Sequence, residues 1–251
     1  MKAKTSLFAL LVTGLAFTAV TSSAQAQEEA PLVNVRIVTV KSEHLGDWIE
    51  LQREMAEASK KAGAPGRSVW QVSKGDHNTF HIVSERPDWA DYGTPNERVM
   101  SEADWANWTN DIQDTVQSRR EITVRGYPDL NIPAKKGSKA KLATVRETEV
   151  KTGQSGAHAR WLRESLHPVL LKQGATDWSI SKVVMGGNLN TFYTVRGYES
   201  WADLDKPGDM SGLGSEEMGK IFTDESRERI VEINLTLLTF RENLSYKGPK
   251  K

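Results

Sequence analysis

Cysteine is absent from the 251 residues, which excludes disulfide scaffolds, Cys-ligated zinc or iron–sulfur centres and thiol nucleophiles. Net charge is missing as well: 33 Lys+Arg balance 33 Asp+Glu. Phosphate recognition leaves a basic footprint, and at the whole-chain level there is none, so no nucleic-acid partner is expected. Proline is sparse, at 9 residues, which with 38% hydrophobic and 26% charged residues describes a chain able to build a packed core. Long apolar runs are also lacking, apart from one at the N-terminus.

That run, Leu7 to Val20, follows Lys2 and Lys4 and leads into Thr21-Ser22-Ser23-Ala24-Gln25-Ala26. Positive residues, a short apolar stretch and small residues in that order are the signature of a secretory signal peptide, with cleavage expected after Ala26. About 14 apolar residues fall short of the roughly 20 that span a bilayer, and lipid anchoring would need a cysteine. The expectation is a periplasmic or secreted protein with no stable membrane anchor after cleavage.

The second half repeats the first at an offset of about 111 residues. Val35-Arg36 and Val40-Lys41 recur as Val145-Arg146 and Val150-Lys151, Gly63-Ala64 as Gly174-Ala175, Asn78-Thr79-Phe80 as Asn190-Thr191-Phe192, and Trp89-Ala90-Asp91 as Trp201-Ala202-Asp203. Between the copies, Asn131 to Ala140 is polar and punctuated by Pro133 and Gly137, which predicts a linker. The expected organisation is a signal peptide at 1–26, a first repeat at 27–130, a linker at 131–140, a second repeat at 141–244 and a basic tail at 245–251.

Hydrophobic period and turn residues predict the elements of each copy. Val33 to Lys41 alternates as a strand. Ser42 is placed to cap a helix running to about Ala62, with Leu45, Trp48, Ile49 and Met55 on one face and Gly63 at its end. Strands at 68–74 and 78–84 flank the turn Gly75-Asp76-His77. A helix from about Ser101 carries Trp105, Trp108, Ile112 and Val116 at helical spacing, and Glu121 to Tyr127 reads as a last strand. The second copy gives strand 141–150, helix 155–173, strands 177–185 and 190–197, helix 215–229 and strand 231–241. Each copy is β-α-β-β-α-β, the ferredoxin-like order, whose four-stranded sheet carries helices on one face and needs a cover on the other. The expected fold is α+β, two tandem ferredoxin-like repeats packed sheet to sheet.

This duplicated order resembles the dimeric α+β barrel superfamily, which includes antibiotic-biosynthesis monooxygenases, EthD-like and NIPSNAP-like proteins. The resemblance covers about residues 33–130 and 141–244. It implies pairing of the units by their sheets and a pocket for a small hydrophobic molecule between sheet and helices. Further assembly into a homo-oligomer is compatible with it. Functions in that group range from cofactor-free oxygenation to haem handling and plain ligand binding, so fold alone does not select a reaction.

Metal binding mostly fails on spacing, with a site assembled from distant segments left as the alternative. His77 and His81 are about 13 Å apart on an extended chain, and His158 and His167 about 13.5 Å apart along a helix, both too far for ligands that each sit about 2 Å from one ion. His81, mid-strand, corresponds to Tyr193 in the second copy; either lines a pocket as a hydrogen-bonding or acid–base group, or is a core side chain with a satisfied tip. Arg36 and Arg146 stand at equivalent places, with Asn34 and Thr144 two residues before them on the same face. They could hold a ligand carboxylate or enolate, or form salt bridges with acids such as Glu147, Glu149 or Asp203.

His158 shares a helical face with Trp161 and Leu162. His167 precedes Pro168, which should kink the helix, and the His-Pro pair resembles a segment of EthD-like members. The eight tryptophans are expected mostly in the core, although Trp70 and Trp178 do not align between copies and one of them could line a cavity. The loop Asp205 to Ser215, with Gly208, Gly212 and Gly214, is a candidate lid or a plain connection. No Gly-x-Ser-x-Gly elbow is present, and acidic groups such as Glu50, Glu54 and Glu57 read as a solvated helix face.

Binding of a small hydrophobic or aromatic molecule is the favoured function. A cofactor-independent monooxygenase-like enzyme and a ligand-free interaction module are the alternatives, and whether there is catalysis is left open. His81 and Arg36 are the candidate catalytic residues, and Tyr193, Arg146, Trp70, His158 and His167 the candidate ligand-binding ones. No cofactor or metal is implied, while haem or flavin remains compatible with the fold.

Overall fold

The computed structural model describes residues 30–93, 99–205, 216–222 and 224–248; the expected signal peptide and the glycine-bearing segment 206–215 lie outside them. The first repeat comprises β1 (Leu32–Val40), α1 (Leu45–Lys61), β2 (Ser68–Val72), β3 (Thr79–Arg86), α2 (Glu102–Thr115) and β4 (Val116–Gly126). The second comprises β5 (Leu142–Val150), α3 (Ser155–Trp161), α4 (His167–Lys172), β6 (Trp178–Met185), β7 (Thr191–Tyr198), α5 (Glu216–Ile221), α6 (Asp224–Glu228) and β8 (Ile230–Phe240).

Local chemistry accounts for these elements. Trp48, Met55 and Ala56 bury one stripe of α1, and Gly63 takes a φ of +67° just past its end, as Gly174 does at +72° after α4. A left-handed residue ends a helix with little strain only when it has no Cβ. Ser101 caps α2 by accepting from Asp104 N–H at 3.1 Å. Ser42 caps nothing; it sits in a short 3-10 turn, and its hydroxyl accepts from Asn78 Nδ2 at 2.7 Å. Pro168 has no N–H to give and its ring crowds the carbonyl four residues back. The helix therefore widens to a π turn over Leu162–Leu166, with the His167 N–H reaching the Leu162 carbonyl.

The eight strands close into a barrel in the order β1-β3-β2-β8-β5-β7-β6-β4. Closure comes from exchange between the copies. β8 of the second repeat pairs with β2 of the first, Trp70 opposite Phe240, and β4 of the first pairs with β6 of the second, Arg125 opposite Lys182. The exchange continues past the strands. Leu130 and Ile132, after β4, are buried in the second repeat's core, and Ile132 bridges to Trp178. Leu244, after β8, is fully buried in the first repeat's core, and Tyr246 bridges to Arg67. Residues that read as the start of the linker and the tail are thus structural.

Among the described residues, three apolar clusters form the core. One lies between the first repeat's sheet and helices, around Trp48, Phe80 and Val69; one lies between the second repeat's sheet and helices, around Leu162, Leu166 and Phe192; the third fills the barrel with Ile122, Val124, Val145, Val183 and Leu238. Trp48 stacks within 4.2 Å of Phe80. The expectation of a tryptophan-rich core holds for Trp48, whereas Trp89, Trp105 and Trp201 are exposed.

A candidate ligand cleft in the second repeat

Each sheet turns one face toward helices and the other toward the barrel interior, and side chains alternate between them along each strand. On β1 and β5 the helix-facing set includes Asn34, Arg36 and Val38, and Thr144, Arg146 and Val150. The interior set includes Val35 and Ile37, and Val145 and Glu147.

In the first repeat, Arg36 stands opposite Glu121 on β4. Its Nε donates to Glu121 Oε2 at 3.0 Å, and Asn34 Nδ2 donates to the other carboxylate oxygen at 2.9 Å. These partners hold the Glu121 pKa below the usual carboxylate value even though partial burial acts the other way. In the second repeat, the residue opposite Arg146 is Leu235, and Asn34 has become Thr144. The difference extends along the strand. β4 and β8 carry the same bulge, opposite Thr39–Val40 of β1 and Glu149–Val150 of β5. From it, β4 runs Gln117, Arg119, Glu121 where β8 runs Val231, Ile233, Leu235. These three apolar side chains are 57%, 40% and 48% exposed, an uncovered apolar wall beside Arg146.

Arg146 is half-buried, and burial lowers its pKa. Its guanidinium lies over the Phe222 ring at 5.9 Å, and among the described residues no carboxylate pairs with it. The remaining wall is aromatic. His158, 3% exposed, has its ring 4.8 Å from Phe192 and 5.4 Å from Trp161, and Trp161 lies 5.0 Å from Phe222. The Trp161 Nε1 donates to the Ile221 carbonyl at 2.9 Å, which fixes the indole. Burial, reinforced by the positive charges of Arg229 and Arg146, lowers the His158 pKa to about 4, so the imidazole is neutral at neutral pH. His167 lies just beyond the π turn, its Nε2 buried without a hydrogen-bond partner among the described residues.

The other candidates face the barrel interior. His81 lies opposite Ile37 and Trp70, all on the inner face. It is 6% exposed, and burial, opposed by Glu147 and aided by Arg120, lowers its pKa to about 4. Arg120 Nη2 donates to both oxygens of Glu147, at 3.0 and 3.1 Å, and to the Tyr193 hydroxyl at 3.1 Å. Burial and Glu147 raise the Tyr193 pKa above its ordinary value. A cavity of about 150 Å³ opens there, lined by Glu147, Glu149, Tyr193, Glu232 and Asn234 among others. A second concavity, an open groove of about 340 Å³ between α1 and α2, is lined by Leu51, Glu54, Asp104 and Trp108.

His81 and Arg36 therefore face opposite sides of the sheet and do not form one catalytic pair. Tyr193 and Trp70 likewise belong to the barrel, away from Arg146 and His158, which the structure brings together. Glu147 is no partner of Arg146, because adjacent strand residues point to opposite faces. Phe222, Arg229, Ile233 and Leu235 were missed as site residues; matching β4 against β8 position by position from the shared bulge is the signal that finds them. Among the described residues no three His, Asp or Glu side chains are placed to hold a metal ion.

No family model matches the chain, and no curated protein matches it in sequence. Solved structures share its fold at very low identity. A candidate monooxygenase of Fusobacterium nucleatum superposes with a TM-score of 0.59 at 12% identity, covering 88% of this chain and 99% of its own. One of Lactobacillus acidophilus gives 0.57 at 9%, covering 84% and 94%. Chlorite dismutase of Candidatus Nitrospira defluvii, a variant solved with cyanide, gives 0.55 at 8%, covering 90% and 97%. At these identities the likeness is one of fold, and it agrees with the closed eight-stranded barrel: this chain has the fold of the dimeric α+β barrel superfamily, with both halves of the barrel supplied in tandem by one polypeptide.

Proposed function

We propose that this protein binds a small, largely apolar molecule against the exposed helix-side face of β8 in its second repeat, and that it does so after export. The observation that carries this reading is the outer face of β8. Val231, Ile233 and Leu235 are exposed where the equivalent residues of β4 are Gln117, Arg119 and Glu121. Each of these side chains is left about half in water, which forgoes roughly half of the 1.5–3 kcal/mol that full burial contributes, and a contiguous exposed apolar patch rimmed by polar groups marks an interaction surface. The first repeat offers no such wall, and its Arg36 is already neutralised.

A titration with the neutral fluorophore N-phenyl-1-naphthylamine tests this. Saturable binding at one site is expected, weakened at least about tenfold by Ile233→Asp and little changed by Arg119→Asp. Absence of saturable binding, or equal sensitivity to both variants, would overturn it. Export is checked by intact mass of the protein recovered outside the cytoplasm, where a chain beginning at Gln27 is expected.

A further inference from the structure

We infer that the ligand of the second-repeat cleft carries an anionic oxygen group, such as a carboxylate, sulfonate or phenolate, and that Arg146 is its counter-ion. The inference rests on the binding reading above and specifies it. The first repeat shows what the strand-centre arginine needs. Arg36 has Glu121 directly opposite at 3.0 Å, and Asn34 fixes the second oxygen of that carboxylate. The second repeat keeps the arginine and loses both partners, with Leu235 in place of Glu121 and Thr144 in place of Asn34.

Nothing described replaces them. The nearest acids on β5, Glu147 and Glu149, point into the barrel, and Glu147 is occupied by Arg120. The charges bearing on His158 from β5 and from the turn before β8 are both positive, Arg146 and Arg229. A guanidinium offers five donors in a rigid fork. Here it is half-buried against an aromatic ring, next to an apolar wall, with no carboxylate of the described residues on it. That setting strengthens its attraction for an incoming anion and lets an apolar body lie on Ile233 and Leu235 while the charge meets Arg146.

Two naphthalene dyes of similar size, anionic 1-anilinonaphthalene-8-sulfonate and neutral N-phenyl-1-naphthylamine, separate charge from apolar contact. Both are titrated into the chain from Gln27 onward as the unmodified protein and as Arg146→Gln, Leu235→Glu and Arg36→Gln, with circular dichroism melts to confirm folding. The ratio of sulfonate to neutral-dye affinity is expected to fall at least about tenfold in Arg146→Gln. It is expected to fall similarly in Leu235→Glu, which rebuilds the first repeat's ion pair without removing the arginine. In Arg36→Gln the ratio stays within about twofold of the starting value. An unchanged ratio in both second-repeat variants, or an equal fall in Arg36→Gln, overturns the inference while leaving the binding reading standing. Failure of both dyes to bind the unmodified protein overturns the binding reading and this inference with it.

Discussion

Arg36 and Arg146 occupy equivalent positions and meet opposite neighbours, and the consequences can be measured. The Arg36–Glu121 pair has both side chains about two-fifths exposed, so solvent screening limits its worth to about 0–1 kcal/mol. Arg36→Gln should shift the urea midpoint only slightly. The two buried histidines set the acid response. His81 and His158 have pKa values lowered to about 4 from an unfolded value of about 6.5. Between those values the unfolded chain takes up protons that the folded chain refuses. Their contribution is therefore complete above about pH 6.5 and is lost as pH falls toward 4, by up to about 1.4 kcal/mol per pH unit for each histidine. Urea unfolding at pH 7, 6 and 5 should show this slope, and His81→Gln or His158→Gln should each reduce it; an unchanged slope in both variants would contradict the burial argument.

Arg146 and His158 stand out in the sequence, but their grouping with each other and with Phe222, Ile233 and Leu235 does not. A strand read alone tells which residues share a face. It does not tell which face looks toward helices, because in this fold each face carries both apolar and polar side chains. His81 and Arg36 therefore read alike as candidates although they look in opposite directions.

Among the elements, both repeats and nearly every strand and helix were legible, because apolar period and glycine punctuation agree locally. The boundary between α2 and β4 was not: Val116 continues the spacing of Ile112, yet the strand begins there, and its exposed, charged start Gln117-Ser118-Arg119-Arg120 carries no strand pattern. The crossing segments were equally hidden, since one or two apolar residues in a polar stretch give no period. Leu130 and Leu244 are nonetheless fully buried, each beneath the repeat that precedes or follows it in the chain. Leu130→Ala and Leu244→Ala should each cost about 2–5 kcal/mol in chemical denaturation. A loss under about 1 kcal/mol would mean that these segments only rest on the surface.

At the scale of the molecule, the two repeats are halves of one barrel. The seams β2–β8 and β4–β6 and the exchanged segments tie each core to the other repeat. Unfolding is expected in a single cooperative transition, with Leu130→Ala lowering the stability of the whole and not of one half. A fragment of residues 27–140 would leave β2 and β4 as open edges and the barrel-facing side chains in water, so it should self-associate, seen by light scattering as a dimer or larger species. A stable monomeric fragment would show that the repeats are independent domains. The two halves share their core pattern and differ on one outer face, where β4 carries Gln117, Arg119 and Glu121 and β8 carries Val231, Ile233 and Leu235.

The most direct test of the account is a crystal structure of the chain from Gln27 onward grown with 1-anilinonaphthalene-8-sulfonate. The expected result is one dye molecule with its rings against Ile233 and Leu235 and its sulfonate on the Arg146 guanidinium. A dye seated in the groove between α1 and α2, inside the barrel beside Tyr193, or on the first repeat at Arg36 would contradict it.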